Sequence, residues 1–171
     1  MLPHTLPSLL TEYQDFMKYW ENLAFRHEKI RHRDDAKRFY TNVDEIAGTG
    51  IKYPLLLLLP QPVDYAGPYD SKFEAFGFEF WILKNLGTGD TRTMQNLINE
   101  SKGIADQFIA RLKEDSRLEG GKSTPFTWFE IQNLVGEPID DPLFGDKAVG
   151  WSFKVSMGNQ KAFTYDSAIW Q

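Results

Sequence analysis

The 171-residue chain contains no cysteine. That absence removes disulfides, thiolate catalysis and cysteine-ligated metal sites together, so the fold rests on packing alone. Long apolar runs are missing too. The stretch KYPLLLLLPQP holds five leucines, Leu55 to Leu59, far short of the roughly 20 apolar residues a helical membrane span needs. No membrane contact is expected. An excess of basic charge is also absent: 19 Lys and Arg against 24 Asp and Glu leave a net charge of −5, which argues against specific nucleic-acid binding. The first residues, MLPHTLPSLLTEY, lack the charged lead and apolar core of a signal peptide, so synthesis in the cytoplasm is expected.

The leucine run reads as a strand covered on both faces, because it lacks alternation and prolines stand at both ends. A short buried helix is the alternative. Before it, Leu9, Leu10, Tyr13, Phe16, Met17, Trp20, Leu23 and Ala24 recur at three-and-four spacing, which predicts an N-terminal helix within 1–34. Phe39, Tyr40 and Val43 then suit a strand, while Val43 to Ala47 suits one helical turn, and the connection stays open.

Downstream, Phe76, Phe78, Phe80 and Ile82 alternate with Gly77, Glu79, Trp81 and Leu83, the period of a strand with the phenylalanines inward. It is expected to pair antiparallel with the leucine strand. Thr91 to Lys113 reads as an amphipathic helix, with Leu97, Phe108 and Leu112 buried and Gln95 and Lys102 in water. Two strands follow, Pro125 to Asn133 and Gly150 to Met157. The segment between them, 135–150, has two prolines and several acids, and is expected to project as a loop. The reading is a single α+β domain over 1–171: a mainly antiparallel sheet of about four strands with two main helices, in the order α-β-β-α-β-β, residues 35–171 forming the sheet and helix core.

Chemistry is thinly represented. The histidines His4, His27 and His32 have no carboxylate at a metal-ligand spacing. Gly120-Gly121-Lys122-Ser123 ends like a phosphate-binding loop, but lacks the earlier glycine and is preceded by a helix rather than a strand. Glu74 and Glu79 fall on opposite faces of their strand, so they would not flank one bond. The basic residues from Arg26 to Arg38 are diluted by Glu28, Asp34 and Asp35 and read as a solvated helix end. No cofactor is expected, and no enzymatic activity.

The order of elements, the IKYP-hydrophobic strand, the late GWSF strand from Gly150 and the terminal Asp166 to Trp170 spacing carry a resemblance. The chain from about Phe39 onward resembles the tail-completion or tail-terminator proteins of tailed bacteriophages and phage-like contractile systems, of the Bacteroidetes phage type. The resemblance implies a structural virion protein made in the host cytoplasm. It implies a homo-oligomeric ring, commonly a hexamer, at the tail or neck, with tail-tube and connector proteins as neighbours and DNA passing through the ring. A non-viral scaffold module and an unrecognised enzyme are the other readings. Candidate interface residues are Ile139, Leu143 and Phe144 of the projecting loop, with Glu79, Trp81 and Trp170. The loop is expected to be mobile until assembly orders it.

Overall fold

The computed structural model describes residues 10, 12–31, 36–62, 64–66, 72–87, 91–116, 126–144 and 148–161. Along them run α1 (Tyr13–Arg26), α2 (Glu28–Arg31), β1 (Phe39–Tyr40), α3 (Val43–Ile46), β2 (Leu55–Pro60), β3 (Asp64–Ala66), β4 (Lys72–Asn85), α4 (Thr91–Asp115), β5 (Trp128–Leu143) and β6 (Ala148–Lys161). The fold is α+β, but the sheet is six-stranded and four helices occur among the described residues, against the expected four strands and two helices. The additions are short: β1, β3, α2 and α3 span four residues or fewer. Such pieces carry too few residues to produce a periodic pattern. The 39–47 connection contains both of its suggested elements, strand β1 and then helical turn α3.

The sheet order is β1-β2-β4-β6-β5, with β3 also on β4. Every pairing is antiparallel except that of β1 with β2. The leucine run is β2, inside the sheet, and Leu55, Leu56, Leu57 and Leu58 are all fully buried. Alternation sends Leu56 and Leu58 into one core and Leu55 and Leu57 into another, which explains a run with no polar positions.

The larger core lies between one sheet face and the helices α1 and α4. Phe76, Phe78, Phe80 and Ile82 of β4 point into it, as their spacing predicts, with Phe153, Val155 and Met157 of β6 beside them. Phe16 of α1 stacks on Phe76 at 4.6 Å between ring centres, Trp20 packs on Phe80 at 5.2 Å, and Phe80 reaches Phe108 of α4 at 6.1 Å. The aromatic richness of the sequence is therefore partly spent on joining α1 and α4 to the sheet.

Helix α1 starts later than its apolar stripe suggests. Asp15 turns its carboxylate back to accept from the Glu12 backbone N–H at 3.2 Å, which ties off the first turn. In α4, Phe108 and Leu112 are buried and Gln95 is exposed, as expected, but Leu97 is only half-buried. Lys102 is half-buried as well: its ammonium lies over the Trp151 ring at 5.7 Å and pairs with Asp106 at 2.6 Å, because the long side chain can lie along the neighbouring strand and still reach a carboxylate.

The projecting loop is a correction. Residues 135–143 are the second half of β5 and pair with β6, Gly136 opposite Phe153, Ile139 opposite Gly150 and Leu143 opposite Ala148. Two irregularities take up the extra residues, between Ile131 and Gly136 and between Ile139 and Leu143. Because β5 is an edge strand, Pro138 and Pro142 cost no interior ladder bond. Gly136 is required here: a Cβ would come within 2.5 Å of the Phe153 ring and 2.6 Å of Trp151 Nε1.

Candidate interaction surface

The second sheet face carries a smaller core. Tyr40, Ile46, Leu55, Leu57, Leu83 and Ala148 are buried there, and Ile51, Tyr53, Leu59, Trp81, Ile139, Leu143 and Phe144 pack around them half-buried. Four of the residues singled out from the sequence, Trp81, Ile139, Leu143 and Phe144, thus meet in one patch. Trp81 comes from the middle of β4, where odd positions face away from α1 and α4. Ile139 and Leu143 come from the irregular half of β5, and Phe144 follows with a backbone φ of 56°, turning the chain over this face. None of the three projects freely; they close the second core and keep part of their surface in water.

Glu79 is set into the same face. Its Oε1 accepts from Trp81 Nε1 at 2.7 Å, which holds the indole against the strand. Lys154 stands directly across from it on β6. Further along, Gly77 faces Ser156, whose hydroxyl accepts from Gln132 Nε2 at 2.9 Å. The face therefore divides into an apolar end around Trp81 and a polar end around Ser156. Glu74 is buried and lies on the helix-covered side, so the two glutamates do point to opposite faces.

At the sheet edge beyond this patch, Arg38 is buried and its Nη1 donates to the backbone carbonyls of Tyr53 and Pro54, the latter at 3.4 Å. This fixes the entry to β2 against β1. On the helical side, the Tyr19 hydroxyl donates to Asp115 Oδ2 at 2.7 Å, and Arg111 Nε donates to the same oxygen at 3.0 Å. Burial, then the adjacent Asp115 carboxylate, pushes the Tyr19 hydroxyl far above the ordinary tyrosine range. Tyr19 is not singled out from the sequence, and Arg38, read there with the Arg26 to Arg38 run as part of a solvated helix end, is instead buried in the structure. An arginine in a mixed-charge run and a tyrosine on a helix give no signal of the carbonyls or carboxylate they will meet.

The remaining candidates for chemistry are placed structurally. His27 stacks on Phe108 at 5.0 Å, its Nδ1 accepts from the Lys29 backbone N–H at 3.2 Å, and Nε2 bonds Gln107 Oε1 at 2.6 Å. With Nδ1 accepting, Nε2 carries the proton and donates. Nε2 thereby ties the end of α1 to α4, while Nδ1 fixes the ring to the start of α2. Among the described residues no three His, Asp or Glu side chains are gathered in a way that would hold a metal ion, and no helix is long and apolar enough to cross a membrane. His4, His32, Leu9, the 120–123 stretch, Asp166 and Trp170 lie outside the described residues. Helix α4 precedes 120–123 and strand β5 follows it, the reverse of the order a phosphate-binding loop uses. No protein-family model matches the chain, and no curated protein matches its sequence.

Proposed function

We propose that the protein is a non-catalytic structural component of a tailed phage or phage-like particle, a tail terminator or head-to-tail connector that works as a homo-oligomeric ring. The observation that carries the reading is the half-buried apolar patch around Trp81, Ile139, Leu143 and Phe144, on the sheet face opposite α1 and α4. Contiguous apolar surface on a soluble domain is costly to leave in water and is ordinarily covered by a partner. Here it is presented by paired strands rather than by a loose loop, so docking on it would order little new chain and lose little entropy. The order of elements and the late GWSF strand supply the resemblance that names the kind of particle.

The test is direct. Light scattering on purified protein, with negative-stain images of the same sample, should show a defined ring-shaped oligomer, and added tail tubes should be capped at one end. A monodisperse monomer that ignores tail tubes would refute the reading.

A further inference from the structure

Two adjoining hollows, of about 250 and 280 Å3, run between the outer flank of α1 and the segment leading through β1. They share Glu21, Lys37 and Phe39. Their floor is apolar, with Ala24 and Ile30 buried and Phe25 left 46% exposed, a large ring in water with no role in either core. Their rim is cationic. Lys18, Arg31 and Lys37 are exposed around it, Arg31 lying over the Phe25 ring at 5.1 Å. Glu21 lies between them, and Lys37 is paired with Glu45 at 2.7 Å, so among the described residues the excess of positive charge rests on Lys18 and Arg31. The mixed-charge run that looked like a solvated helix end thus contributes one wall of a groove.

The complementary surface lies on the same molecule at the far side of the sheet. Strand β5 is the edge opposite β1, four strand spacings or roughly 20 Å away. Its second half exposes Glu137, Pro138 and Asp140, with half-buried Ile139 between them. An acidic edge with one apolar residue at its centre faces away from a cationic groove with an apolar floor. Direct sheet extension is disfavoured, because β1 offers only two residues and Pro138 interrupts β5. Two different surfaces on opposite edges form a head-to-tail contact, the kind that closes a ring when the rotation between copies permits.

We propose that the groove between α1 and β1 of one copy receives the Glu137 to Asp140 edge of a second copy; this rests on the assembly reading above and assigns its subunit contact. Glu137 and Asp140 face Lys18 and Arg31, and Ile139 is set toward Phe25. With a net charge of −5, copies repel at long range, and this pairing is what lets them meet in one orientation.

The experiment uses two exposed double variants of the full chain, Lys18→Glu with Arg31→Glu, and Glu137→Lys with Asp140→Lys, each checked for an unchanged melting curve. Light scattering should show wild type as an oligomer that weakens as salt rises from about 0.05 to 0.5 M. Each variant alone should be a monomer, because both of its faces then carry one sign. An equimolar mixture should reassemble, since each reversed face now finds its opposite. Variants that stay oligomeric alone, or that dissociate and fail to reassemble when mixed, overturn the contact while leaving the assembly reading in place. A monomeric wild type overturns both.

Discussion

Leu57→Asp tests whether the leucine run is held from both sides. Leu57 is fully buried between Tyr40 of β1 and Trp81 of β4, on the smaller core. Removing the leucine side chain alone should cost about 2–5 kcal/mol, since the neighbours cannot wholly collapse into the gap. The aspartate adds a term that depends on pH. Buried without a cation, it stays protonated in the folded state while the unfolded chain ionises above about 3.9. At about pH 7 the folded protein holds a proton the unfolded chain has released, which costs about 4 kcal/mol at ~1.36 kcal/mol per pH unit. The sum, about 6–9 kcal/mol, rivals the whole stability of about 5–15 kcal/mol of an ordinary domain. Urea unfolding of Leu57→Asp should therefore show little or no folded protein near neutrality. Stability should recover as pH falls toward about 4, while Leu57→Asn stays pH-independent over the same window. An Asp variant that unfolds like wild type at every pH would show that Leu57 is not enclosed.

Tyr19→Phe should lower stability by about 1 kcal/mol near neutral pH, through loss of the bond to Asp115, measured by thermal melting. Because burial and Asp115 raise the Tyr19 pKa, wild type should also lose about 1.4 kcal/mol per pH unit above about pH 10, and the variant should lack that contribution. Gly103→Ala should raise stability by about 0.5–1 kcal/mol, since a Cβ there meets nothing within 4 Å and the residue lies inside α4. Gly150→Ala should do the opposite and broaden or abolish the unfolding transition, because its Cβ would fall 1.9 Å from the Ile82 carbonyl oxygen in the adjoining strand. Arg38→Ala should cost about 2–4 kcal/mol by leaving the Tyr53 and Pro54 carbonyls without their charged donor, and hydrogen exchange should show β1 and β2 opening before β4.

What was legible in the sequence was whatever a regular period could encode. The phenylalanines of β4 alternate because one face meets α1 and α4 and the other only the smaller core, and the leucines of β2 fail to alternate because both faces are covered. The middle of α4 was readable for the same reason, its apolar side fixed by the sheet beneath it. Arg38, the Tyr19–Asp115 pair and the groove over Phe25 were not readable. Each joins residues far apart in the chain, and charged side chains carry no mark of whether they end in water, on a carbonyl or around a hollow.

Strand β5 shows why one half of a single element can be plain and the other hidden. Phe129 and Ile131 pack against the large core, so that half has the composition of a strand. Beyond Ile131 the chain advances five residues while β6 advances two, and then four while β6 again advances two, which destroys any two-residue period. Pro138, Glu137 and Asp140 complete the disguise, since prolines and acids ordinarily mark loops. At an open edge those residues have another consequence: they deny neighbouring chains a run of free backbone donors, so the strand does not recruit partners indiscriminately. The features that made 135–150 look like a loop are therefore those that let a strand stand safely at the rim. They also restrict whatever docks there to recognising side chains rather than extending the sheet, which is why charge reversal at Glu137 and Asp140 is the perturbation to which such a contact should respond.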